Sequence, residues 1–100
     1  MGAEPLTVVA IFRAKPGREA DLETALRAMP APTRLETGCM NYDLHRVPSD
    51  PGRFFFHENW TTVDDHRAHL ETPHVQRLLS LTPDLLAEPI LELKGERLNV

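Results

Sequence analysis

Imidazole is the side chain best suited to moving protons near neutral pH, and two histidines of this chain, His69 and His74, sit on either side of a Thr72-Pro73 step. A third, His66, lies three residues before His69. That spacing would put both rings on one helix face, where His74 or Glu58 could join them around a metal ion. Spacing fixes no third ligand, so a metal-free protein is expected. A second group of candidates runs consecutively as His57-Glu58-Asn59-Trp60. Strand side chains alternate, which gives Glu58 and Trp60 one face and His57 and Asn59 the other. Only one of these pairs can face a substrate cavity. Tyr42, the one tyrosine, shares a strand face with Leu44 and Arg46. Its hydroxyl can orient a phenolic oxygen, or its ring can pack across strands. Plain structural roles compete for each residue: His69 capping or packing at a helix end, Trp60 in the core, and Glu58 ion-paired with Arg46 or His45 across a hairpin.

These side chains need a scaffold, and the sequence punctuates one. Thr7 to Ala14 is rich in β-branched and aromatic residues and stops at Lys15-Pro16-Gly17, which predicts a first strand and turn. From Arg18, Leu22, Ala25, Leu26 and Met29 follow the spacing of a helical face that Pro30 and Pro32 end. Met40–Val47 and Arg53–Thr61 flank Pro48-Ser49-Asp50-Pro51-Gly52, the composition of a hairpin. Thr62 with Asp65 predicts a helix start. Thr72-Pro73 and Thr82-Pro83 repeat a capping hydroxyl before proline, predicting several short helices between 63 and 87. Ile90–Leu93, between Pro89 and Gly95, reads as a last strand. The order β-α-β-β-α-β is that of an α+β, ferredoxin-like fold with an antiparallel sheet.

Composition narrows the function classes. One hundred residues suit one domain spanning 1–100, with a core from about 7 to 94, large enough to fold without metal or disulfide staples. The net charge of −4 comes from interleaved charges of both signs, which argues against nucleic acid or an anionic membrane as partner. The lone Cys39 has no internal disulfide partner, and MGAEPLTVV lacks the basic and apolar regions of a signal peptide. With no apolar run near the roughly 20 residues that span a bilayer, a cytoplasmic protein is expected.

One strand breaks the pattern of a sheet with one wet face. Phe54-Phe55-Phe56 does not alternate, and Val8 to Phe12 is apolar almost throughout. Both faces of the sheet should therefore be covered, while the helices of one chain cover only one. A second copy of the chain, or else a ligand groove, would cover the other.

Four separated motifs occur in order: Gly38-Cys39-x-x-Tyr42-x-x-His45-Arg46, Asp50-Pro51-Gly52-Arg53-Phe54, His57-Glu58-Asn59-Trp60, and His69-Leu70-x-x-Pro73-His74. Together, over about Val8 to Glu88, they closely resemble the antibiotic biosynthesis monooxygenase superfamily, and within it the small bacterial quinol monooxygenases. The resemblance implies a homodimer forming an α+β barrel, and oxidation of a small quinol or phenol by molecular oxygen with no bound cofactor. The chain also lacks the glycine-rich phosphate turns and paired cysteines that would point to a nucleotide, zinc or iron-sulfur group.

Such a reaction needs a base near the phenolic oxygen, donors to hold the anion, and an apolar pocket that excludes water. The resemblance nominates His69 as the base with His74 beside it, and Tyr42, His45, Glu58, Asn59 and Trp60 as substrate-binding residues. Related enzymes keep an asparagine and a tryptophan at the substrate, yet Asn59 and Trp60 are adjacent and need a bulge to line one pocket. Haem-degrading relatives use a first-strand asparagine and a histidine beyond the His74 position, where this chain has VVAIF and the leucines Leu78 and Leu79. A phosphorylated-sugar isomerase relative shares the His69 to His74 pattern, and its ligand would call on Arg13, Arg46 and Arg53. A small-molecule-binding dimer without turnover is the non-enzymatic alternative.

Overall fold

In the computed structural model, which describes residues 2–100, the β-branched and aromatic run near the N-terminus forms β1, Leu6–Arg13. Its side chains alternate between a buried face, Val8, Ala10 and Phe12, and a half-buried one. The chain then forms α1 (Glu19–Arg27), a single turn α2 (Pro30–Thr33), the hairpin β2 (Cys39–Arg46) and β3 (Arg53–Trp60), α3 (Val63–His69), α4 (Pro73–Leu85) and β4 (Leu91–Gly95). The strands pair antiparallel in the order β2-β3-β1-β4. Each β-α-β crossover therefore skips one strand, which is the interleaved ferredoxin-like α+β arrangement that the element order predicts.

Helices pack on one face of this sheet. Leu22 and Leu26 of α1 and Val75, Leu78 and Leu85 of α4 meet Val8, Phe12, Phe54, Phe56 and Trp60 in a single core. Phe56 is fully buried, stacked on Tyr42 at 4.4 Å and edge-on to Phe12 at 5.9 Å. The phenylalanine run splits as alternation requires: Phe54 and Phe56 enter this core, and Phe55 turns to the opposite face and stacks on His45 at 4.6 Å.

Prolines account for the differences between expectation and fold. α1 ends at Arg27, before Pro30, which starts a new turn as its first residue because φ is already helical and no N–H is missed there. Thr82-Pro83 starts nothing: Pro83 lies inside one continuous α4 of 13 residues. The bond it forfeits is partly offset by Thr82, whose hydroxyl donates to the Leu79 carbonyl at 2.8 Å. Thr72 stands at the N-cap of α4, but its hydroxyl donates back to the His69 carbonyl at 2.8 Å and caps nothing. Thr62 does cap α3, accepting from the Asp65 amide at 3.0 Å.

Candidate active site

α3 is only seven residues long, and its cap fixes which face it buries: His66 and His69, three apart, both turn beneath the helix onto the sheet. There they meet the buried ends of β2 and β3. The His69 ring lies 4.9 Å from Trp60 and 5.4 Å from Tyr42, and the His66 ring lies 6.0 Å from His69. A cavity of about 80 Å³ opens beside Tyr42, His66 and His69, lined also by Phe56, Glu58 and Leu78 and reaching toward the more exposed Leu79 and Glu92. Larger depressions of about 540, 810 and 280 Å³ lie by α1 and the hairpin, by the N- and C-terminal segments, and between α1 and the end of α4. None of them contains His66, His69 or Glu58, so the small cavity is the better candidate for chemistry.

The group that orients His69 comes from a distant loop. After α2, Gly38 adopts a left-handed φ of +81°, and the turn returns the chain under α3 with Glu36 pointing inward. A side chain at Gly38 would strike Asp65 of α3, so only glycine permits this approach. Glu36 Oε2 lies 2.8 Å from His69 Nδ1 and 3.0 Å from His74 Nε2. His74 Nε2 is also 3.1 Å from Thr33 Oγ1. With the carboxylate accepting from Nδ1–H, the neutral His69 ring carries its lone pair on Nε2, which has no hydrogen-bond partner among the described residues. Burial holds His69 below its ordinary pKa against the opposing pull of Glu36, so it is a neutral base at neutral pH.

Burial favours the neutral forms of three further groups in the cavity. Burial pushes the Glu58 carboxyl up to about 7, only partly offset by the Trp60 indole N–H that donates to it at 2.9 Å. Burial, followed by the nearby Glu58 and Glu36 carboxylates, raises the Tyr42 phenol well above its usual value. Burial likewise lowers His66. Its Nε2 is buried without a hydrogen bond, 3.8 Å from Glu92 Oε2, too far for one. An unsatisfied buried nitrogen facing a cavity is a place where a ligand hydroxyl gains a hydrogen bond at no cost to the protein.

The fold thus gathers Tyr42, Glu58 and His69 around one space, with His74 behind His69, while Trp60 packs against His69 and donates a hydrogen bond to Glu58 without lining that space and instead borders the depression by the terminal segments. His45 and Asn59 are not brought to the cavity. β3 alternates strictly, so Asn59 faces the open side of the sheet, where its side chain joins Thr7 at 2.6 Å and Asn41 at 2.7 Å. A bulge does occur beside it, but in β2, between Cys39 and Asn41, and it leaves the facing of β3 unchanged. Glu58 is not the rim partner of Arg46 or His45. It sits opposite Tyr42, while Arg46 pairs with Glu23 of α1. Glu36 and Glu92 were absent from the sequence-derived set of roles, and His66 entered it only as a candidate metal ligand. Glu36 carries no periodicity or motif, and only the neighbouring Gly38 hints at a turn.

The sequence comparison decides what this arrangement belongs to. Residues 5–80 match the antibiotic biosynthesis monooxygenase family. The chain is a member of that family. Rv0793 of Mycobacterium tuberculosis, named as a candidate monooxygenase, is 33% identical over 89 residues, covering 86% of this chain and 84% of that protein. Among solved structures, PA3566 from Pseudomonas aeruginosa superposes with a TM-score of 0.91 at 34% identity, covering 99% of both chains. The Rv0793 structure also gives 0.91, at 28% identity over 97% of this chain and 98% of that one. The family match includes β1 to β3, α3 and the first half of α4, so every residue of the cavity described above except Ile90 and Glu92 lies within it.

Proposed function

We propose that this member of the antibiotic biosynthesis monooxygenase family oxidises a small quinol or phenol with molecular oxygen, using the substrate's own electrons. The observation that carries this reading is the conjunction of Glu36, His69 and the cavity: a carboxylate on Nδ1 of a histidine that lines a small, largely apolar space, with Nε2 left free of hydrogen bonds among the described residues. That is the arrangement a general base requires, with Glu36 orienting the ring and stabilising the imidazolium once the proton arrives.

In this scheme His69 Nε2 takes the phenolic proton, and the quinolate becomes electron-rich enough to reduce oxygen. One oxygen atom enters the ring, the other leaves as water, and the quinol becomes a hydroxyquinone, which balances both atoms and electrons. The Glu58 carboxyl, neutral up to about pH 7, and the Tyr42 phenol can donate hydrogen bonds to developing oxyanions. His66 Nε2 can accept from a second hydroxyl. Phe12, Phe56 and Leu78 line the space with apolar surface that disfavours water.

The cavity is small compared with the roughly 300 Å³ of ordinary ligand pockets. This favours a single unsubstituted or lightly substituted ring, admitted on the Leu79 and Glu92 side, where the lining is most exposed. The test is oxygen uptake by the purified protein with a panel of hydroquinones of increasing ring size, corrected for autoxidation. Enzyme-dependent uptake that falls with ring size supports the reading. No uptake across the panel overturns it in favour of a binding or isomerase role.

The same reading includes a homodimer. The uncovered sheet face carries Val9, Ile11 and Phe55, with Leu91 and Leu93 about half exposed at 53% and 54%. An apolar face of this kind on a soluble chain favours burial against a second copy.

A further inference from the structure

We propose that Glu36, His69 and His74 form a binding site for a divalent cation of the zinc class, and that its occupation turns off the base described above. The three residues come from three separate elements, the α2–β2 loop, the end of α3 and the start of α4. One oxygen or nitrogen of each lies within 4.8 Å of the others. A carboxylate with two imidazoles is an established donor set for zinc, leaving a fourth position for water.

The geometry is close to that required. Bonds of about 2.0–2.1 Å in a tetrahedron separate ligand atoms by about 3.3 Å. The observed separations of 2.8 Å and 3.0 Å from Glu36 Oε2 to the two ring nitrogens therefore need to widen by only about 0.3–0.5 Å. The carboxylate supplies the negative charge, and burial of all three side chains, 4% to 15% exposed, limits competition from water. Against the site stand the two hydrogen bonds that the cation displaces and the positive end of the α4 dipole near His74. These set an affinity well short of that of a structural zinc site.

The consequence follows from the tautomer, and this half of the inference rests on the proposed role of His69. Without metal, Nδ1 carries the hydrogen and Nε2 the lone pair. A cation on Nδ1 displaces that hydrogen and binds the lone pair left there, and the neutral ring must then carry its hydrogen on Nε2. The nitrogen facing the cavity changes from acceptor to donor and can no longer remove a proton. The cation would thus inhibit from behind the ring, without entering the cavity.

Titration of the substrate-free protein with Co²⁺, followed by visible absorption, tests the site, with Zn²⁺ added to displace the cobalt. Saturable four-coordinate absorption is expected, with the dissociation constant rising on the order of 100-fold in His74→Gln and Glu36→Gln. Nitrogen-15 NMR should show the His69 hydrogen move from Nδ1 to Nε2 on zinc binding. No absorption at millimolar cobalt, or an unchanged constant in folded variants, overturns the site. Oxygen uptake separates the two readings. Metal binding with the tautomer change in a protein that consumes no oxygen under any condition supports the site and removes the oxygenase reading. Uptake that proceeds unaffected in zinc-saturated protein overturns the switch.

Discussion

Glu36 Oε2 lies 2.8 Å from His69 Nδ1 across 33 residues of sequence, so a loop carboxylate fixes the tautomer of a helix side chain. Buried on the sheet, His69 would otherwise be free to place its hydrogen on either nitrogen. The contact selects Nδ1–H and leaves the lone pair on Nε2 of a ring that lines the cavity.

Glu36→Gln tests that relationship. The amide keeps the volume but removes the charge that stabilises an imidazolium, and it can also present N–H to Nδ1, which favours the wrong tautomer. A fall in kcat of about 10²- to 10⁴-fold with little change in KM is expected, because the loss is felt in the transition state. Steady-state oxygen uptake, paired with nitrogen-15 shifts of His69, checks it. Equal kcat in a folded variant would remove Glu36 from the mechanism.

His69→Ala removes the base itself, and turnover should fall by about 100-fold or more. Adding free imidazole should restore part of the rate by occupying the vacated space. A variant with wild-type kinetics and an intact fold would transfer the role elsewhere, with His66, 6.0 Å away between ring centres, as the next residue to replace.

Glu58 gives a prediction about stability and pH. Its folded pKa of about 7 lies above the ordinary carboxyl value near 4.3, so between those values the folded state binds the extra proton. Stability from this group is full below about pH 4.3, declines as pH rises, and levels off above about pH 7, a loss of up to ~4 kcal/mol. The buried His66 and His69, with lowered pKa values, act in the opposite sense: their contribution falls as pH drops below the ordinary histidine value. The comparison must therefore be differential. Denaturant unfolding of Glu58→Gln and the wild type should show the variant gaining relative stability as pH rises from 4 to 8. A constant difference across that range would mean Glu58 is not held neutral.

Phe56→Ala should cost about 3–5 kcal/mol in the same unfolding experiment, since the ring is fully buried between Tyr42 and Phe12. A loss under 1 kcal/mol would show that the core collapses around the space.

Much of this fold can be read from the chain because alternation and helical spacing are local. β3 shows it best: the period of two assigned Glu58 and Trp60 to one face and His57 and Asn59 to the other, and the strand keeps that assignment throughout. Proline was the weaker guide. Pro30 does follow the end of α1 but opens a turn of its own, since the first turn lacks an N–H partner anyway, and Pro83 sits inside α4, whose 13 residues absorb one missing bond. The site was legible on α3 and β3, where the residues lie close in sequence. Glu36 was not, because its meeting with His69 depends on the left-handed turn at Gly38 and on the docking of α3, neither of which any local pattern encodes.

The open sheet face supplies the last prediction. Val9 pairs with Leu93 and Ile11 with Leu91 across β1 and β4, and Phe55 lies opposite Ile11 on β3. These five side chains form one apolar surface that the chain's own helices do not cover. Completing the burial of a half-exposed leucine is worth about 1 kcal/mol, so several such residues on each of two copies offset much of the cost of association. Leu93→Lys puts a charge opposite Val9 and, by two-fold symmetry, one on each partner, so it both removes apolar area and adds repulsion. Sedimentation should show a wild-type dimer and a variant whose dissociation constant rises at least about 100-fold. Because Leu93 is exposed in the single chain, the variant monomer should keep its secondary structure by circular dichroism. A dimer that persists unchanged in Leu93→Lys would place the interface elsewhere and leave this face as a groove for a ligand.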